Sequence, residues 1–289
     1  MPKGRIVKSL SGFYYVESDG EIFQCRARGN FRNRGITPIV GDWVEYEAEN
    51  KTDGYIMEVH DRSSSLRRPP VANVDQAVIV SAVEHPAFST LILDKLLVHT
   101  EAAGMDAVIV ITKKDLGVTE DIEEACLVYR QLGYPVILTA HSEGAAEELR
   151  SFLEGKVSVF AGQSGVGKST LLNTLHPELG IETGEVSKSL KRGKHTTRHV
   201  ELIPIEGGYV ADTPGFSSLD FSGIEEEVLS HYFPEMAERI NDCRFRGCRH
   251  LNEPGCEVQA AVEQGDIASF RYKNYKQFHE EISSQKRRY

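Results

Sequence analysis

The first 68 residues alternate apolar and polar positions in short runs, at 12–16, 21–25, 42–47 and 55–60, separated by turns of Gly, Asn and Asp. A period of two is the rhythm of half-buried antiparallel strands, and a compact barrel is the natural closure of such a set. Arg67-Arg68-Pro69-Pro70 follows, and consecutive prolines hold the backbone extended and bar entry into a helix. A stiff connector and a domain boundary are expected there.

Between 71 and 222 the pattern changes. Apolar runs at 76–80, 107–111, 136–138, 157–160 and 209–211 alternate with helical periods at 91–103 and 122–132. That alternation predicts a parallel sheet with helices on both faces, an α/β domain. From 223 to 289 the chain turns helical and polar, with a Cys/His cluster in its middle and Lys286-Arg287-Arg288 near its end. The expected division is therefore 1–68, 71–222 and 223–289, and 289 residues leave room for two or three such units.

Two signatures occur in an unusual order. Thr112-Lys113-Lys114-Asp115, a guanine-reading pattern, precedes the phosphate loop Gly162-Gln163-Ser164-Gly165-Val166-Gly167-Lys168-Ser169, whereas in an ordinary GTPase it follows. The phosphate loop sits between an apolar run and a helical segment starting near Thr170, the strand–loop–helix context that the motif requires. Its glycines let backbone N–H groups converge on phosphate oxygens, Lys168 reaches the terminal phosphates, and Ser169 offers a hydroxyl to Mg²⁺. Asp115 accepts from the N1–H and N2–H₂ of guanine, donors that adenine does not present in that arrangement, which points to GTP. Thr112 replaces the usual Asn, and the loss of that amide is expected to loosen the base loop from the rest of the site. Thr139-Ala140-His141, at the end of the next strand, is placed to offer a backbone N–H to guanine O6.

After a further apolar strand comes Asp212-Thr213-Pro214-Gly215. Its carboxylate reads as a water-mediated holder of Mg²⁺, and the Gly215 N–H as a γ-phosphate sensor, the parts of a switch II segment. Residues 191–198 lie between the two motifs without hydrophobic period, as a switch I does, and Thr196 or Thr197 would complete the metal shell. Phe216 stands where many GTPases place a water-orienting Gln. A phenyl ring cannot orient water by hydrogen bonding, so His195 is the candidate for that role. Slow intrinsic hydrolysis is expected, accelerated by a partner that orders switch I. The pieces together predict a circularly permuted P-loop GTPase.

Five cysteines are an odd number, and Cys243, Cys248 and Cys256 stand with His250 within fourteen residues. Three thiolates and one imidazole match a closed tetrahedral structural zinc site, which leaves no position for a catalytic water. With few apolar residues around it, the ion is expected to be the main source of folding free energy for that segment. Cys25 and Cys126 read as small buried hydrophobes.

The net charge of −10 excludes a generally basic, nucleic-acid-coating surface and leaves local patches. Three are candidates for RNA: Arg26, Arg28, Arg32 and Arg34 with Phe31 as a stacking residue, residues 188–198, and the Cys/His loop with the C-terminal tail. No apolar stretch approaches the roughly 18 residues that span a bilayer. A signal-peptide h-region is also missing, so a cytoplasmic protein without membrane partners is expected. Nothing signals an obligate oligomer, and a monomer is expected.

On residues 162–170, Gly193-Lys194-His195-Thr196-Thr197-Arg198, Asp212-Thr213-Pro214-Gly215-Phe216 and the Cys243/Cys248/His250/Cys256 set, the chain resembles the bacterial circularly permuted ribosome small-subunit-dependent GTPase A family over nearly its whole length. The resemblance implies an N-terminal OB-fold, a permuted GTPase domain in the motif order G4-G5-G1-G2-G3 and a C-terminal zinc domain. It further implies action late in maturation of the 30S subunit, contact with 16S rRNA near the decoding region, and hydrolysis stimulated by the small subunit. The other reading of the same residues is an RNA-binding assembly module in which GTP is a slow structural ligand; an ATP-using P-loop enzyme is a third.

Overall fold

The alternating N-terminal runs form β1 (Lys3–Leu10), β2 (Phe13–Ser18), β3 (Glu21–Ala27), β4 (Trp43–Ala48) and β5 (Gly54–Val59). The computed structural model describes residues 1–29, 31, 35–67, 70–140, 145–179, 200–212, 220–221 and 223–286. β1 pairs with both β2 and β4, and β3 runs parallel to β5, so the sheet closes on itself as a five-stranded barrel. Ile6, Val16, Cys25, Val44 and Ile56 fill the interior at 0% exposure. A Cβ on Gly4 would lie 2.5 Å from Val16 Cγ1 and 2.7 Å from the Glu17 carbonyl oxygen, so only glycine lets β1 cross β2 there. β1 is not among the expected runs, because Ile6 and Val7 break the strict alternation; the register shift against β2 between Ile6 and Lys8 accommodates that break.

The connector is not a straight spacer. β6 (Ser65–Arg67) and β7 (Pro70–Ala72) form a two-stranded ribbon, and β7 is bridged to the barrel by Val40 and Val71. Pro70 is tolerated because it is the first residue of an edge strand, where no ladder donor is needed. The Asn73 amide donates to the Gly41 carbonyl at 3.0 Å and fixes the turn out of the ribbon.

The α/β unit runs β8 (Gln76–Ala82), α1 (Thr90–Ala102), β9 (Asp106–Thr112), α2 (Glu120–Gln131), β10 (Val136–Leu138), α3 (Ala145–Leu153), β11 (Val157–Ala161), α4 (Lys168–Leu175), β12 (Glu201–Ile205) and β13 (Gly208–Asp212). Ser89 caps α1 by accepting the Ile92 N–H at 3.4 Å. The strand order is β10-β9-β8-β11-β13-β12, parallel except for β12. β8, β9 and β11 are almost wholly buried, as strands covered on both faces must be. β12, interrupted by the exposed Pro204, carries no clear strand signal in the sequence. It nevertheless pairs with both β13 and β1, making one eleven-stranded sheet out of the α/β unit and the barrel. Lys8 sits opposite Glu201 at that seam, with Nζ 2.9 Å from Oε2.

The C-terminal region contains α5 (Pro234–Ala237), α6 (Glu257–Gln264) and the long α7 (Ser269–Lys286), with residues 238–256 between the first two. It has an apolar core of its own: Phe221, Leu229, Phe233, Met236, Tyr275 and Phe278 are all buried, together with Val98 of α1. This apolar core supports the region beside the metal loop, a contribution that the few apolar residues around the cysteines do not show in the sequence. At the centre Arg271 is 1% exposed. Its Nε and Nη1 lie 2.7 Å from Glu235 Oε1 and 2.5 Å from Asp94 Oδ1. Asp94 also accepts from the Tyr129 hydroxyl at 2.7 Å and the Asn274 amide at 2.6 Å. Burial alone would lower the Arg271 pKa, but the two carboxylates outweigh it and hold the guanidinium charged. The network ties α7 and α5 to α1 and α2, so the C-terminal region is locked to the α/β unit.

Candidate functional site: a nucleotide pocket and a metal loop

β11 delivers the chain into the phosphate loop at the C-terminal edge of the sheet, between β8 and β13. Gly162 has φ +143°, and a Cβ there would lie 2.1 Å from the Val80 carbonyl oxygen, so the backbone passes β8 at a distance that no other residue permits. Gly167, at φ +101°, turns the chain into α4, whose first residues are Lys168 and Ser169. Val166 anchors the loop in the core at 1% exposure, while Ser164 and Gly165 face solvent. Lys168 Nζ donates to the Gly162 carbonyl at 2.8 Å and the Gln163 carbonyl at 2.7 Å. Burial lowers its pKa to about 8. The ammonium is thus held inside the loop by weak neutral acceptors that phosphate oxygens can replace. Ser169, 5% exposed, sits beside it on the first turn of α4, and Thr170 follows, half-buried.

The base-reading segment meets this loop directly. Thr112 ends β9, and its Oγ1 lies 2.6 Å from the Val166 carbonyl oxygen and 3.1 Å from that of Ser81. The expected loosening from the Asn-to-Thr difference is not found: the hydroxyl ties the base loop to the phosphate loop itself, which a short side chain does because β9 ends close against Gly167. Lys113, at φ +60°, donates to the carbonyls of Gly165 at 2.9 Å and Glu84 at 3.3 Å, and also to that of His85. The Lys114 N–H donates to the Thr139 carbonyl at 3.0 Å, joining the end of β10 to the same loop. Asp115, in the short 3-10 turn Lys114–Leu116, is exposed with its carboxylate open to a ligand. The bracing by Lys113 was not foreseen, since nothing in the sequence links it to the carbonyls it meets.

Asp212 closes β13 next to β11, where the carbonyl-end edge of the sheet faces the phosphate loop. His141, Thr213, Pro214, Gly215, Phe216 and residues 188–198, including His195, Thr196 and Thr197, lie outside the described residues.

Cys243, Cys248, His250 and Cys256 converge, with their ligand atoms all within 4.8 Å of one another. His250 Nδ1 is 3.5 Å from Cys243 Sγ and 3.3 Å from Cys256 Sγ, and the residue is 0% exposed. Three soft sulfurs and one imidazole nitrogen facing a common point fit a tetrahedral ion such as zinc. The loop is braced from outside. Tyr272 and Tyr275 of α7 donate to the His250 and Arg249 carbonyls at 2.7 and 2.6 Å. Glu253 accepts the backbone N–H groups of Arg249, Leu251 and Asn252. Burial pushes the Glu253 pKa up, but those N–H groups prevail and bring it down to about 2. Cys256 also caps α6 by accepting the Gln259 N–H at 3.5 Å.

Of the RNA candidates, Phe31 is not available for stacking: it is 4% exposed and belongs to the barrel core. Its flanking arginines carry the polarity of that segment, while the ring is drawn inward by burial. The exposed ring next to Arg26 in register is instead Tyr55, 42% exposed, and the Arg26 guanidinium lies 4.8 Å from the centroid of Phe13. Arg28 lies 3.5 Å from Glu47, whereas Arg32, Arg34 and the end of the C-terminal tail lie outside the described residues. On the metal loop Arg244 lies 5.4 Å from the ring of Phe245, an exposed side chain. No helix among the described residues is long and apolar enough to cross a membrane.

The family model described as RsgA GTPase matches residues 59–222, and that described as RsgA N-terminal domain matches residues 3–56. A protein named small ribosomal subunit biogenesis GTPase RsgA from Halalkalibacterium halodurans is 56% identical over 292 residues, covering 100% of this chain and 99% of its own. A namesake from Shouchella clausii is 54% identical, with 100% of each chain covered. The solved structure titled YloQ, a circularly permuted GTPase, superimposes with a TM-score of 0.84 at 46% identity, covering 99% of this chain and 96% of the other. YjeQ from Thermotoga maritima gives 0.85 at 40% identity, with coverage of 97% and 98%. The expected permutation is borne out by the first of these structures.

Proposed function

This chain belongs to the RsgA GTPase family, enzymes of small ribosomal subunit biogenesis that hydrolyse GTP, and we propose that it times its binding to and release from the immature 30S subunit by its nucleotide state. The observation that carries the nucleotide reading is the contact of Thr112 with Val166, which joins a guanine-reading loop to a phosphate loop at one edge of the sheet.

In this reading the backbone N–H groups from Gly162 to Thr170 hold the phosphates, Lys168 exchanges its two carbonyl partners for β- and γ-phosphate oxygens, and Ser169 holds Mg²⁺. When bound, the magnesium neutralises charge that develops on the phosphoryl oxygens. Asp212 acts on that ion through water, Thr197 or its neighbour Thr196 completes the shell, and Gly215 senses the γ-phosphate. His195 orients the attacking water, because Phe216 has no group to do so. Asp115 reads guanine, with Lys113 and Lys114 bracing the loop around it. Cys243, Cys248, His250 and Cys256 hold one structural zinc ion. The divisions 1–68, 71–222 and 223–289 act as an RNA-binding OB barrel, the permuted GTPase domain and the zinc domain. The partner is the 30S subunit, touched through 16S rRNA by a monomer in the cytoplasm.

Phosphate release from GTP, with ATP as control, in the presence and absence of purified small ribosomal subunits tests the reading. Stimulation confined to GTP is the expected result; equal use of ATP, or no response to subunits, overturns it. Lys168→Ala separates the enzyme from an assembly module with GTP as a structural ligand, since only the latter would keep its role in subunit maturation.

A further inference from the structure

Strand register lines up four side chains across the barrel wall. Phe13 of β2 stands opposite Arg26 of β3, Arg26 opposite Tyr55 of β5, and Tyr55 opposite Glu47 of β4. Cys25 and Ile56, the chain neighbours of Arg26 and Tyr55, are buried in the barrel interior at 0% exposure, so strand alternation sends this row outward. The Arg26 guanidinium lies 4.8 Å from the centroid of the half-buried Phe13 ring, which holds it over the sheet. On its other side Tyr55 is 42% exposed. Glu47 ends the row, with Arg28 Nη2 3.5 Å from its Oε2.

An exposed ring on a sheet accepts the flat face of a base, and every base has such a face, so this contact carries little sequence preference. The base must be uncovered. Unpaired nucleotides can splay a base outward, whereas bases inside a continuous duplex are covered by their neighbours above and below. Neighbouring strands are about 4.8 Å apart, which puts Arg26 within reach of the phosphate of a nucleotide whose base lies on Tyr55. A guanidinium offers that phosphate two donors in one plane. Two guanidinium groups against one carboxylate leave the row positive, the complement of a polyanion.

We propose that Tyr55 and Arg26 form a platform for unpaired RNA on the outer wall of the barrel: a base stacks on the Tyr55 ring, and Arg26, propped by Phe13, holds a phosphate of the same strand. The inference rests on the reading of the chain as a GTPase that works on the small ribosomal subunit. It deepens that reading by naming the form of RNA that the barrel takes, single-stranded in preference to duplex, and the side chains that take it.

The test titrates the full-length, metal-loaded chain with a fluorescent oligouridylate of about ten nucleotides, within the site size of such barrels, and with an RNA duplex of the same length. Tyr55→Ala, Tyr55→Phe and Arg26→Gln are compared with the parent and with Leu127→Ala, which removes an exposed leucine of α2 as a control. The parent and the control should prefer the single strand. Tyr55→Ala should weaken that binding about 5- to 150-fold, and Tyr55→Phe, which keeps the ring, should retain it. Arg26→Gln should lower the slope of log affinity against log salt by about 0.7, the loss of one phosphate contact on a single strand. A parent that binds the duplex as well as the single strand, or binds neither, overturns the platform, as does Tyr55→Ala that binds like the parent. Unchanged oligonucleotide binding with weakened association to purified subunits in Tyr55→Ala also overturns it, because the row would then meet a protein. If Tyr55→Ala unfolds, Tyr55→Leu, which keeps bulk without a ring face, decides. A parent whose GTP hydrolysis ignores subunits would sink the functional reading, while the oligonucleotide titrations still decide the platform.

Discussion

The Thr112 hydroxyl lies 2.6 Å from the carbonyl oxygen of Val166, a residue 54 positions later that belongs to the other loop of the nucleotide site. Permutation has cut and rejoined the chain so that base loop and phosphate loop are remote in sequence in the inverted sense, yet the contact between them is direct. A hydroxyl carries one proton, so the shorter contact is the donated bond, and the Ser81 carbonyl at 3.1 Å is a secondary neighbour.

Thr112→Val keeps the shape and removes that proton. A buried carbonyl left without a donor costs about 1–3 kcal/mol, so guanine-nucleotide affinity should fall by roughly 5- to 150-fold. Thr112→Ser keeps the hydroxyl and should restore most of it. Titration with a fluorescent GDP analogue measures both, and equal affinity for the Val variant would show that the bond does not support the site.

Lys168 gives the pocket a pH dependence. Burial lowers its pKa from 10.5 to about 8, so the folded empty protein disfavours the charged form and gains stability as pH rises from about 8 towards 10.5. Phosphates favour the charged form, and nucleotide binding should therefore take up a proton above about pH 8 and weaken as pH rises further. Calorimetric titrations in buffers of different ionisation enthalpy will show that uptake in the parent and lose it in Lys168→Met.

Asp115, exposed at its turn, is the sole carboxylate in the Thr112-Lys113-Lys114-Asp115 motif. Asp115→Asn replaces an acceptor pair by an acceptor and a donor, which suits the additional carbonyl of xanthine. Hydrolysis of xanthosine triphosphate should overtake that of GTP in the variant; a variant that still prefers GTP would show that the base is read elsewhere.

Chelation should loosen the metal loop but spare the helix that supports it. Phe233, Tyr275 and Phe278 are buried against one another, and Arg271 is pinned by two carboxylates. Hydrogen exchange after metal removal is expected to accelerate in residues 243–256 while α7 stays protected. Collapse of protection throughout 223–286 would return the metal to the dominant role that the sequence suggested.

Arg271→Met removes one partner of a buried network and leaves Asp94 and Glu235 uncompensated. Such losses cost about 3–5 kcal/mol. Thermal unfolding should fall accordingly, and α1 should lose protection together with α7, because Asp94 belongs to the first and Asn274 to the second.

The candidate residues for phosphate, guanine and metal were nameable from the chain alone, because each of those ligands demands particular atoms at short spacing. Gly162, Lys168 and Ser169, Asp115, and the set of three cysteines with His250 are such local demands, and short loops satisfy them wherever they occur. Strand and helix periods in the α/β unit were legible for the same reason, since burial on two faces writes itself into continuous apolar runs. The structure alone decided what depends on distant partners. Whether Thr112 weakens or secures the base loop turns on how close Val166 comes. From the sequence Phe31 reads as a surface ring, yet it lies in the core, since a single aromatic among arginines has no period to give its direction. β12 became the join between barrel and GTPase sheet through β1, and Arg271 found two carboxylates 177 and 36 residues away. Local chemistry is fixed by neighbours along the chain, whereas packing and long-range pairing are fixed by which surfaces meet, and that is settled only when the whole chain folds.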